Sequence, residues 1–140
     1  MRLWPVRACL VLLVLALLAG ETSGATAAWP SANLRPLVVG WQQFFRVQWD
    51  AGASQGQPVV EGYVTNVWNF PAQRVQLLVS GYDASGQRVG QLVAWGPPRI
   101  NPGARVYFDM PVPPAASYDV AIFAWDWVQR GGPGRNPFFP

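Results

Sequence analysis

From residue 44 onward apolar and polar side chains alternate in short runs, separated by proline, glycine and asparagine rather than by helical stretches. A period of two marks a strand with one buried face, and no window shows a sustained helical period. The first run, 44–50, puts Phe45, Val47 and Trp49 on one side and Arg46 and Gln48 on the other. Residues 59–66 set Val60 and Val64 against Glu61 and Thr65. Residues 74–82 turn Val75, Leu77 and Val79 inward and Arg74, Gln76 and Ser80 outward, and 87–95 return as their partner. Between these two lies Asp83-Ala84-Ser85-Gly86, where the aspartate can bond the backbone ahead of it and the glycine can take a positive φ. Residues 105–110 alternate Val106, Phe108 and Met110 with Arg105, Tyr107 and Asp109. The longest run, 117–129, starts with Tyr118, Val120 and Ile122 inward. Residues 51–58 read as a loop, and Asn69-Phe70-Pro71, Gly96-Pro97-Pro98, Asn101-Pro102-Gly103 and 111–114 as turns or breaks.

Six strands, or seven if 37–41 contributes one, with no helix between them, predict an all-β fold: an antiparallel immunoglobulin-like β-sandwich. A transmembrane barrel is the rival for an exported all-β chain. It needs a lipid-facing apolar band about 25 Å tall, and Arg46, Arg74 and Arg105 fall in mid-pattern.

Ahead of the alternation the chain reads as an export signal. Arg2 and Arg7 flank a basic start, Ala8 to Ala19 is an unbroken apolar run of twelve, and residues 20–27 are small and polar. Twelve residues fall short of the roughly 20 that span a bilayer, so no stable membrane span is expected after cleavage. Ala25-Thr26-Ala27 places the cut before Ala28. The single cysteine, Cys9, stands in front of the apolar run, whereas a lipid-anchoring cysteine would follow it. The organisation is therefore a signal peptide at 1–27, a leader segment at 28–43 broken by Pro30 and Pro36, a sandwich domain at 44–130 and a Gly/Pro-rich tail at 131–140. A periplasmic or extracellular location follows.

Several chemistries are excluded by composition. There is no histidine and no lysine, and the one cysteine lies inside the signal peptide. A Ser–His–Asp or Cys–His relay, a zinc site and a Schiff-base nucleophile therefore have no parts to be built from. Six carboxylates remain past the cut, Asp50, Glu61, Asp83, Asp109, Asp119 and Asp126. Glu61, Asp109 and Asp119 are outward strand positions and Asp83 is a turn former, so neither an acid–base pair nor a calcium loop is expected. The chain is read as non-catalytic, without metal or cofactor. Its formal charge of +3 is weak and scattered, which argues against a nucleic-acid or membrane footprint.

The stretch Val60-Glu61-Gly62-Tyr63-Val64-Thr65-Asn66, then 75–79, Asp83-Ala84-Ser85-Gly86, Pro102-Gly103 and Phe108, resembles the bacterial FxLYD domain over residues 44–129. Of the signature that names that family the chain keeps Tyr82-Asp83. The resemblance implies an immunoglobulin- or fibronectin-like sandwich in an extracytoplasmic protein with no assigned enzymatic activity.

The positive signal is aromatic. Trp49 is expected in the core, while Trp68, between Asn66 and Asn69 in a loop, is open between core and surface. In the last strand, an unbroken register would bury Asp126 and turn Phe123, Trp125 and Trp127 outward. A buried unpaired carboxylate is costly. Either a bulge near Ala124 swaps the faces, or Asp126 lies at the wet end of the sandwich and Phe123, Trp125 and Trp127 form an outer aromatic stripe. The stripe is the reading preferred on the sequence. Phe123, Trp125, Trp127 and Trp68 are then the candidate binding residues of an exported interaction module in the cell envelope, with a protein partner. The alternative is a carbohydrate-binding module that stacks a glycan on Trp125, Trp127 and Trp68.

Overall fold

The computed structural model describes residues 28–129, so the expected signal peptide and the tail at 131–140 lie outside the described residues. Seven strands follow one another: β1 (Phe45–Ser54), β2 (Gln57–Asn66), β3 (Ala72–Tyr82), β4 (Arg88–Trp95), β5 (Arg99–Ile100), β6 (Arg105–Pro111) and β7 (Ser117–Trp127). They form two antiparallel sheets, and together a β-sandwich. One sheet has the order β1-β2-β6. In the other, β3 is central, with β7 along one edge and β4, continued by the short β5, along the opposite edge. The chain crosses between layers after β2, before β6 and again before β7, as immunoglobulin-like sandwiches do. No helix among the described residues is long and apolar enough to cross a membrane.

The alternation predicts the core. Phe45, Val60, Val64, Val75, Leu77, Val79, Phe108, Met110, Val120 and Ile122 are buried, and Val47, Trp49, Val106 and Tyr118 pack against them. Ala72, Ile100 and Val112 complete it from positions the alternation did not single out. The Asp83 turn also forms as expected. Its Oδ1 accepts from the Ser85 and Gln87 N–H groups at 2.9 Å and from the Ser85 hydroxyl at 2.6 Å. These donors hold the carboxyl below its usual pKa.

Four expectations are corrected. Residues 51–58 are not a loop: β1 and β2 run on to a two-residue turn at Gln55 (φ 51°) and Gly56 (φ 76°). Positive φ at both central positions matches the twist of a hairpin. Residues 51–57 are exposed on both faces, so this arm has no buried side to write an alternation into the sequence. Residues 37–41 do not form a strand. Gly40 is left-handed (φ 78°) and leads into a 3-10 turn at Trp41–Gln43, leaving a single bond from the Leu37 N–H to the Phe123 carbonyl, 2.9 Å. β5 is a further strand, made where Ile100 and Arg99 pair with Ala72 and Gln73. The fourth correction, in β7, concerns the site residues.

The leader is fastened along its length. The Trp29 indole lies on Gly81 and Gly90, where any Cβ would collide with it, faces Tyr118 at 6.1 Å and donates to the Pro114 carbonyl at 3.0 Å. The chain then rounds β4 and crosses the outer face of the β4-β3-β7 sheet. There the Gln91 amide accepts from the Leu34 N–H (2.7 Å) and donates to the Leu34 carbonyl (3.1 Å) and the Ser80 hydroxyl (3.0 Å).

Candidate functional site

The structure divides the four aromatic residues singled out in the sequence. In β7, Ile122 pairs with Leu77 and Ala124 with Gln76, so Phe123 is an extra residue at which the strand changes face. β3 carries a matching extra residue at Arg74, whose φ is 52°. Past the bulge Trp125 and Trp127 point inward, and the preferred outer stripe does not form. Trp125 meets Phe45 edge-on at 5.0 Å and Trp127 stacks on Phe45 at 5.7 Å. The reason is the carboxylate. The switch turns Asp126 out to water, where it lies 3.4 Å from the Arg74 guanidinium with both side chains more than half exposed. Phe123 is half-buried, and its carbonyl accepts from the leader. Trp68 is 39% exposed and packs edge-on against Phe44 at 4.9 Å. Its loop hangs on Asn66, which is fully buried. The Asn66 amide donates to the Phe70 and Ile100 carbonyls (2.7 and 3.0 Å) and accepts from the Trp68 N–H (2.9 Å).

A different surface gathers chemistry, the outer face of the β1-β2-β6 sheet. Cross-strand pairing arranges it in three rows: Arg46–Thr65–Arg105, Gln48–Tyr63–Tyr107 and Asp50–Glu61–Asp109. Each row is separated from the next by two residues of strand, about 6.6 Å. All nine side chains are exposed except Thr65, which is half-buried. The face is therefore basic at one end, acidic at the other and aromatic in the middle.

Its middle is held in place. Tyr63 and Tyr107 meet edge-on at 5.6 Å, and the Arg105 guanidinium lies 3.9 Å above the Tyr63 ring on its way to the Gln48 side chain, 3.2 Å away. The Tyr107 hydroxyl donates to Glu61 Oε2 at 2.7 Å. That bond keeps the proton on the phenol, and with the nearby negative charges it pushes the Tyr107 pKa up to about 12. Arg46 bonds the Gln42 and Phe45 carbonyls. Among the described residues the one ion pair is Arg74–Asp126, so no acid of the third row has a cationic partner. No three acidic side chains among the described residues converge as a metal site requires.

The outward parity of Arg46, Gln48, Glu61, Thr65, Arg105, Tyr107 and Asp109 was readable in the sequence. Their assembly into one face was not, because it depends on which strands pair and in what register.

A recess of about 570 Å³ lies at the Trp68 end between Asn69, Phe70, Pro71, Arg99, Asn101, Pro102 and Val128.

No protein-family profile and no curated protein matches the chain. Among solved structures, the chain is similar to the one described as the X-ray structure of Northeast Structural Genomics Consortium target SoR45. That protein is 14% identical, and the similarity covers 68% of this chain and 92% of that one with a TM-score of 0.39.

Proposed function

We propose that the protein is an exported, non-catalytic β-sandwich module that binds a protein partner in the cell envelope through the outer face of its β1-β2-β6 sheet. The observation that carries this reading is the order of charge on that face, with arginines and carboxylates at opposite ends of a tyrosine pair. A tyrosine and arginine centre flanked by polar groups is the composition that recurs in protein interfaces. Export rests on the basic, apolar and small-residue layout of residues 1–27.

The test is a photo-crosslinking residue placed at Tyr107 and, as a control, at the exposed Val89 of β4. The expected outcome is one discrete adduct from position 107, none from position 89, and its loss in Arg105→Glu. Equal adducts from both positions, or none, would dismiss the face as an interface. Amino-terminal sequencing of the protein recovered outside the cytoplasm should begin at Ala28, and recovery of the intact leader in the cytoplasm would overturn export.

A glycan reading is favoured by one feature, the recess at the Trp68 end, where Phe70 is exposed beside Asn69, Asn101 and Arg99. An exposed ring among amide and guanidinium donors suits a sugar. Quenching or enhancement of tryptophan fluorescence by a glycan, lost in Trp68→Ala, would support it. An unchanged signal across a glycan panel would remove it.

A further inference from the structure

We infer that the partner of the β1-β2-β6 face is a second copy of this chain, an inference that rests on that face being an interface. The rows run perpendicular to the strands, basic, aromatic, then acidic. Consider a two-fold axis lying along the Tyr63–Tyr107 row, with two sheets face to face about 10 Å apart. The rotation reverses the strand direction and keeps each strand over its own equivalent. Arg46 then faces the second copy's Asp50, Arg105 faces the second copy's Asp109, and the tyrosine rows meet at the axis. The face is complementary to itself in sign and spacing.

Two features of the isolated chain point the same way. Asp50, Glu61 and Asp109 are direct cross-strand neighbours, and like charges so placed repel. Nothing among the described residues neutralises them, since the one ion pair lies elsewhere. The guanidinium of Arg105 is also fixed in advance, over Tyr63 and against Gln48, so little of its freedom remains to be lost on docking. The outer face of the other sheet offers no such site, because the leader already crosses it.

Nine side chains make a small interface, at the lower end of the range near 1,200 Å² in total, so association in the micromolar range is expected. The pairs are exposed and should weaken as screening grows.

Sedimentation of the purified exported form tests this. A dimer is expected at concentrations up to about 0.5 mM in low salt, dissociating in about 1 M salt, where the screening length is about 3 Å. Arg46→Glu/Arg105→Glu makes both ends of the face acidic, and Asp50→Arg/Asp109→Arg makes both ends basic. Each variant alone should dimerise at least about tenfold more weakly than the parent, and mixing the two should restore a heterodimer. A second measurement needs no charge change: Tyr63→Cys lies on the axis and should form a covalent dimer under mild oxidation much faster than Val89→Cys. A parent protein that stays monomeric, charge variants that dimerise like the parent, or a mixture that does not pair would overturn the inference. A monomeric parent whose position 107 crosslinks to a different protein would remove self-association and leave the interaction reading standing. A monomer with no adduct at all would remove both.

Discussion

The two sheets of the sandwich treat their outer faces differently. On the β4-β3-β7 sheet the outward residues Leu78, Ser80 and Gln91 are each no more than 5% exposed, because the leader crosses them. On the β1-β2-β6 sheet the outward Tyr63 and Tyr107 are 38% and 49% exposed, and Tyr63 is covered only by the Arg105 side chain of its own face. Both faces carry polar side chains, so polarity alone does not separate them. The difference lies in what the polar groups bond. Gln91 behaves like a stretch of backbone, pairing with both main-chain groups of Leu34 and giving the strap the bonds of a strand without its geometry. The polar groups of the open face bond mainly to one another, through Arg105 to Gln48 and Tyr107 to Glu61, and leave capacity for a partner.

Removing the anchor of the strap should have the largest effect. Trp29→Ala empties the space above Gly81 and Gly90, and a loss of about 3 kcal/mol is expected in urea unfolding. A loss under about 1 kcal/mol would mean that the indole is an ornament on an already closed sandwich. Gln91→Ala strands two main-chain groups of Leu34 and the Ser80 hydroxyl, at a cost of about 2 kcal/mol, and the Leu34 amide should exchange with solvent much faster. Unchanged exchange there would show that the strap is held by something other than Gln91.

The open face answers to pH and hardly to truncation. Glu61→Gln should bring the Tyr107 phenol down from about 12 toward its ordinary 10, seen in its phenolate absorbance. The sign follows from a raised folded-state pKa: the Tyr107–Glu61 contact contributes fully below about pH 10 and is lost as pH rises through about 12. No change in titration would separate the two side chains. Smallest of all, Gln48→Ala should move stability by less than about 0.5 kcal/mol, since its one side-chain partner, Arg105, stays in water. A Gln48 effect as large as that of Gln91 would erase the contrast between the faces.

What could be read in advance follows from what alternation encodes. It reports which neighbours share a face, so Val75, Leu77 and Val79, or Val106, Phe108 and Met110, were placed correctly from spacing alone. It does not report a change of parity inside a strand, so the outer stripe preferred for Phe123, Trp125 and Trp127 gave way to the bulge that turns both tryptophans inward. It is silent on covering. Leu78 and Ser80 are buried by a segment some forty residues earlier in the chain, at a distance no local pattern spans. The hairpin at Gln55 and Gly56 was hidden for the opposite reason, since an arm wet on both sides leaves no hydrophobic trace.

The two bulges, at Arg74 and Phe123, have a consequence for how this chain can vary. Their offsets cancel: Leu77 pairs with Ile122 and Ala72 with Trp127, so the ladder resumes its original pairing beyond them. Dropping both codons would leave an uninterrupted ladder with Ala72, Trp125 and Trp127 still on their present side. Dropping either one alone would close only its own bulge: without Phe123 the strand alternates from Ile122 to Trp127 with Asp126 still outward, and without Arg74 the change of face at Phe123 remains while Asp126 loses its guanidinium neighbour. A length change at one of these positions therefore stays local and need not be matched at the other.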